Sequence, residues 1–374
     1  MKKPTLLILF FFCFKFIFGQ LVITDQIFPM IGDSVILLND ELPNGLDLGK
    51  GGPNQYWDFS NLLSPLKEVI SVEDPVNGFS KSNFPESDLI FNIDDEIQRY
   101  FKQTPNELLE IGVWGPNPLM DNQPINARYS PPLPLFRTPM VYGDEHNESS
   151  NLLIALDPNK LPDTLLRLLP TSIDSARIRI EINRLDEVEA WGKLRLPHQS
   201  FDVLRERRLE IVERRLDVKK GSDYWVDITD ELPANQAFAP SQSVSYYYFA
   251  NEIREPLAIV NLDGAGNINS VQYQPDPFQK DFFKNSDGRP DIIAFPNPTF
   301  GELRFYFSNL KPEYYQLKVF TIIGKEILSE MHFVNGNKTI KMKNLGLGKG
   351  SYFYSLVDDR GKTIKTKRFL VVTP

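Results

Sequence analysis

The sequence predicts an all-β protein: a large antiparallel body of the β-sandwich type, followed by a small C-terminal β-sandwich. Three observations carry this. Apolar and polar residues alternate over short runs, the period of a strand with one buried face. No long 3.6-residue period and no strand–helix alternation runs through the chain. The 29 Pro and the 27 Phe and 14 Tyr among 374 residues favour short strands and turns over long helices.

The first nineteen residues stand outside this fold. Lys2 and Lys3 form a basic start, Leu6 to Phe14 is an unbroken apolar run, and Gly19 is a small residue ahead of Gln20. That is the layout of a secretory signal peptide, residues 1–19. Cys13, the only cysteine, leaves with it, so the mature chain has no thiol, disulfide or thiolate ligand.

The body is expected over residues 20–283, as one unit or as two packed units. Residues 21–38 read as two β-rich runs about a Pro29-Met-Ile-Gly32 turn. Residues 51–60 lead from a Gly-Pro turn into Trp57 and Phe59, which share a strand face and predict a core anchor rather than a sugar platform. Residues 88–114 give two or three strands. Residues 115–139 hold seven prolines and read as a long ordered loop, because Pro removes ladder donors. Residues 158–170 predict the one helix, stopped by Pro170. Strands follow at 177–182, 189–197, 205–215 and 243–249, and then a hairpin over 257–273 that turns at Asp263-Gly-Ala-Gly-Asn267. Trp114, Trp191 and Trp225 also sit in strand-like stretches, and at least three of the four tryptophans are expected to be buried.

Charge divides the chain. Residues 20–290 carry 25 basic against 42 acidic residues, whereas residues 291–374 carry 13 against 7. An acidic body excludes nucleic acid as a natural partner and suits an extracellular one. No catalytic, cofactor-binding or metal-binding residue is singled out. His146, His198 and His332 lack the spacing of a helical zinc pair. The Asp144-Glu-His-Asn-Glu148 stretch reads as a solvated acidic loop, and Asn285, Asp287 and Asp291 as a polar linker rather than a calcium loop. A glycosidase carboxylate pair has no sequence spacing to betray it.

The last eighty residues are more specific. Pro296 pre-sets a turn and Pro298 keeps Asn297 extended. Strands are expected at 303–307, 317–319, from Ile327, at 338–342, at 352–357 and at 363–371, with turns at Gly324, Asn335-Gly-Asn337, 345–350 and Gly361. The runs Pro296-Asn-Pro-Thr-x-Gly-x-Leu303, Val319-Phe-Thr-Ile-Ile-Gly-Lys-Glu-Ile327 and Leu345-Gly-Leu-Gly-Lys-Gly-Ser-Tyr352, then Gly361 and Lys367, strongly resemble the C-terminal sorting domain of type IX secretion substrates in Bacteroidetes. Thr321 stands where that family usually has Asp.

The resemblance implies a small immunoglobulin-like sandwich over 294–374, a linker over 284–293, and a sorting motif of Pro296, Asn297, Pro298, Thr299, Gly301, Gly324, Gly350, Tyr352, Gly361 and Lys367. It implies the type IX secretion machinery and its sortase-like peptidase as partners. The protein would reach the outer cell surface or the medium via the periplasm, where surface lipopolysaccharide is a further partner. The body resembles uncharacterised passengers of the same system in Pro29-Met-Ile-Gly-Asp33 and Trp191–Arg205. The reading is thus an exported binding or structural passenger for a glycan or protein ligand, without cofactor. A secreted hydrolase is the alternative.

Overall fold

A computed structural model describes residues 21–65, 67–93, 96–116, 124–157, 173–221, 224–231, 238–251, 253–275, 289–299, 303–342 and 346–372. Sixteen strands make up its larger part: β1 (Val22–Ile23), β2 (Ser34–Asp40), β3 (Gly52–Asp58), β4 (Lys67–Glu73), β5 (Leu89–Ile93), β6 (Ile97–Gln103), β7 (Glu107–Pro116), β8 (Pro124–Arg137), β9 (Met140–Val141), β10 (Glu145–Leu156), β11 (Ser175–Arg195), β12 (Ser200–Lys219), β13 (Val226–Asp227), β14 (Ser241–Phe249), β15 (Ala258–Leu262) and β16 (Ile268–Tyr273). Among the described residues there is no α-helix, and the helix expected at 158–170 lies outside them.

The all-β class holds, and the body is a sheet closed on itself. The order β12-β14-β15-β16-β2-β4-β5-β6-β7-β8-β10-β11 returns to β12, because β11 also pairs with β12. Closure removes the exposed edges that an open sheet presents. β13 attaches to β12, and β3 lies parallel to β11. The seam is the long β11/β12 hairpin, in register from Ser175↔Lys219 to Arg195↔Ser200 with one irregularity between Val188 and Ala190. Alternation over most of its length sustains it, with Ile178, Ile182, Val188 and Ala190 turned to the buried side. Gly192 is required where β3 crosses: a Cβ there would lie 2.0 Å from the Gln55 carbonyl oxygen.

The proline-rich stretch corrects the expectation. Residues 117–123 lie outside the described residues, but Pro124–Arg137 is strand β8, not loop. The prolines fit because the ladder is interrupted around them. Pairing to β7 jumps from Gly112↔Arg128 to Glu110↔Leu133, and pairing to β10 is confined to Arg128–Ser130. Two β8 carbonyls accept from guanidinium groups of the seam: Arg184 donates to Pro134 O at 2.9 Å and Arg208 to Leu135 O at 3.0 Å.

The C-terminal sheet comprises β17 (Asp291–Phe295), β18 (Leu303–Thr321), β19 (Glu326–Met342), β20 (Gly350–Val357) and β21 (Thr363–Val371). Two pairs of strands read separately from the sequence are continuous here. β18 and β19 run through the whole unit and bend near Asn309 and Gly336, both with positive φ. One apolar core results, built on Phe305, Phe307, Leu317, Val319, Leu356 and Phe369. β17 begins at Asp291, within the stretch read as linker.

Candidate functional site

Trp57 is a core anchor, as its strand position predicts. It is fully buried, meets Tyr248 edge-on at 5.1 Å between ring centres, and donates its indole N–H to Leu48 O at 2.9 Å. Arg205 lies over its face at 4.9 Å and over Tyr246 at 4.9 Å, with its guanidinium paired to Glu189 at 2.7 Å. The wider expectation of three buried tryptophans fails. Trp114 and Trp191 are half-buried, and Trp225 is exposed on the short strand β13's flank, 4.3 Å beneath Arg177.

One cavity, of about 470 Å³, forms where four connections converge at an end of the ring. The turn before β2 supplies Asp33, the β11/β12 turn supplies His198, the β14–β15 connection supplies Ile253 and Arg254, and the end of β16 supplies Gln274; Phe201 makes an apolar wall. Arg254 is paired with Asp33, which also accepts the Met30 N–H at 2.7 Å. Gln274 braces the connection by donating to Arg254 O at 2.9 Å and Pro256 O at 3.0 Å. A fixed cation–anion pair beside an apolar wall is the composition of a small-ligand site. Behind it Glu255 is buried with one carboxylate oxygen unpartnered, and burial pushes its carboxyl up to about 8, against the opposing pull of Arg99.

A second group of buried charges lies on the seam. Arg208 holds Asp186 at 2.7 Å and Glu206 at 3.1 Å, and Arg184 holds Glu210 at 2.7 Å. Burial raises the Glu206 carboxyl to about 7, opposed by Arg208 and reinforced by Asp186. Asp186 and Glu206 are both tied to one guanidinium, and neither lines the cavity above.

Among the described residues no three His, Cys, Asp or Glu side chains come together as a metal site. The stretch from Asp144 is not a loop throughout: β10 begins at Glu145, Asp144 accepts the Val141 N–H at 2.8 Å, and Glu148 pairs with Arg137. Asn285 and Asp287 lie outside the described residues, and Asp291 pairs with Lys367 at 2.6 Å.

Part of the C-terminal motif gathers at one end of its sheet, where Gly350 pairs with Val371 and Tyr352 with Thr321. Asn297 accepts from Leu370 N at 2.9 Å and donates to Arg368 O at 3.1 Å. Thr299 bridges Val371 between Pro298 and the last strand, donating its N–H to Leu370 O at 2.8 Å. Pro296 and Pro298 flank Asn297 and set its approach to that strand. Gly324 and Gly361 supply the positive φ of the β18–β19 and β20–β21 turns. Gly350 opens β20, where Tyr352 stacks on Phe369 at 5.4 Å. Gly301 lies outside the described residues. Thr321 accepts the Lys325 N–H at 3.1 Å, closing the turn with its hydroxyl. The sequence had no signal for the cavity or the seam charges, because their members come from distant segments.

Residues 293–372 match the family described as the secretion system C-terminal sorting domain. No curated protein matches the sequence. Among solved structures, the chain is similar to dimeric latent PorU from Porphyromonas gingivalis, with 13% identity, TM-score 0.21, and coverage of 94% of this chain and 30% of that one. It is also similar to PorZ, a surface component of the type IX secretion system of the same organism, with 8% identity, TM-score 0.18, and coverage of 84% and 51%. Superpositions of that quality do not define a shared fold. Residues 293–372 are a secretion-system sorting domain joined to a large β-rich body.

Proposed function

We propose that this protein is a passenger of the type IX secretion system, carried by its C-terminal domain to the cell surface or the medium, and that its body is a binding or structural module rather than an enzyme. The observation that carries the reading is the sorting domain at residues 293–372, behind a body of different fold and opposite charge. The secretion machinery and a sortase-like peptidase are its partners, with surface lipopolysaccharide as an anchor. The cavity with its Asp33–Arg254 pair supports a glycan or short peptide as ligand.

Deleting residues 290–374 is expected to hold the protein in the periplasm, measured by fractionation and surface labelling. Surface display of that deletion at the normal level would overturn the export role. For the body, the full chain is screened on a glycan and peptide array. A ligand retained by wild type and lost in Arg254→Leu locates binding at the cavity, and undiminished binding by the variant removes the cavity from the reading.

A further inference from the structure

Strand alternation makes a sharp demand on β18. Leu303, Phe305 and Phe307 point into the core of the C-terminal sheet, so Arg304, Tyr306 and Ser308 point away from it. In a free-standing sandwich those three side chains would be wet. Instead Arg304 is 1% exposed, Tyr306 8% and Ser308 4%. Phe295, directly opposite Arg304 on β17, is also buried while lying outside the C-terminal core. Something other than the sheet covers this face.

At Arg304, Tyr306 and Thr339 the neighbours from the body are Asp40 and Glu41, at the end of β2. The Arg304 guanidinium donates to Asp40 Oδ1 at 2.5 Å, and Asp40 too is 1% exposed. The Asp40 carboxylate is held in place from the body side by the backbone N–H groups of Leu42 at 3.0 Å and Leu63 at 2.9 Å. Thr339, opposite Tyr306 on β19, donates to Glu41 Oε2 at 2.6 Å. The Tyr306 phenol is pushed up to about 12 by its burial and by Glu41. Asp40 is therefore a preorganised acceptor, and the cation that fills it comes from a unit about 260 residues further along the chain.

We propose that the face formed by Phe295, Arg304, Tyr306 and Thr339 is a docking surface whose occupant is the body's own Asp40–Glu41 corner. The sorting domain is seated on the body in one orientation rather than hanging from a linker. Two consequences follow. A cut within residues 276–288 does not by itself free the domain, because separation would return the buried surface of Phe295 and Tyr306 to water along with the Arg304–Asp40 pair. The seated orientation also leaves the opposite face, with Tyr314, Met331 and Phe333, turned to solvent.

The test uses the full chain with one site-specific protease sequence placed within residues 276–288. After complete cleavage, wild-type fragments are expected to co-elute on gel filtration at micromolar concentration. Arg304→Leu and Asp40→Asn are expected to separate them, with at least a tenfold weaker association by dilution. Thr339→Val, a milder change at the rim, is expected to weaken association by a few fold while the uncleaved chain melts as wild type does. Immediate separation of wild-type fragments would overturn the proposal, as would Arg304→Leu fragments that stay together as firmly as wild type. A variant that fails to fold before cleavage is replaced by Thr339→Val, whose association equal to wild type would count against the docking face.

Discussion

The ring and the C-terminal sheet are built from the same alternating strands and fill their interiors differently. The sheet has a single apolar core in which Phe305, Phe307 and Phe369 meet Leu317 and Val319. The ring divides its apolar residues among several clusters, one about Trp57 and Tyr248, another about Phe91 and Phe249, a third about Ile178 and Leu216. Between the second and third lie Arg184, Asp186, Glu206, Arg208 and Glu210. Diameter accounts for the difference. Two packed layers stand about 10 Å apart and are filled by apolar side chains from both. A closed circuit of twelve strands encloses a wider space, and here long, paired charged side chains occupy part of it and donate to carbonyls of β8. The comparison places the buried carboxylates with raised values, Glu206 and Glu255, in the ring.

The largest effect that would sharpen this is at Trp57. Trp57→Ala is expected to cost about 3–5 kcal/mol, and it also strips Arg205 of the ring it lies on. Denaturant unfolding of the full chain measures it, and an unchanged midpoint would show that the indole is not a core element. Close behind comes Arg208→Met, which leaves Asp186 and Glu206 buried without their shared cation and is expected to cost about 3–5 kcal/mol. The triple change Arg208→Met, Asp186→Leu, Glu206→Leu is expected to regain most of that. A triple variant as unstable as the single one would break the comparison, since the charges would then be needed for more than mutual pairing. A smaller loss is expected for Gly192→Ala, about 1–3 kcal/mol from crowding against Gln55.

Much of this was legible in the residues. Alternation gave away the strands from Arg177 to Phe249, Gly-rich pairs gave away the hairpin turn at Asp263, and Trp57 with Phe59 two residues on announced a buried face. The sorting domain was readable because its turns need glycine at fixed places. Ring closure was not readable, since β11 meets both β12 and the parallel β3 through pairings that no local pattern encodes. β8 was hidden for another reason: its prolines argue against a strand unless the ladder breaks around them, and such a break is a property of the pairing with β7 and β10 that no local pattern encodes. The Arg304–Asp40 pair was out of reach for the same cause.

The finest test of the comparison is a titration. Glu255 sits beside the cavity with a buried carboxyl raised to about 8 by desolvation, partly offset by Arg99 and reinforced by Asp33. An acid whose folded-state value lies above its unfolded value of about 4.3 binds a proton more tightly when folded. Its contribution is therefore fully present below about pH 4 and is lost as pH rises toward 8. Glu206, raised to about 7, adds a second loss over the lower part of that window. Wild-type stability should thus fall between pH 5 and 8 in a range where carboxylates held in ordinary salt bridges would make it flat or rising. Glu255→Gln keeps the shape and removes the proton, so its stability should decline less over that interval and exceed wild type at pH 8, with little difference at pH 5. Parallel curves for the two proteins would mean that Glu255 keeps its charge at a solvated site, and the ring's pH response would then rest on the seam carboxylates alone.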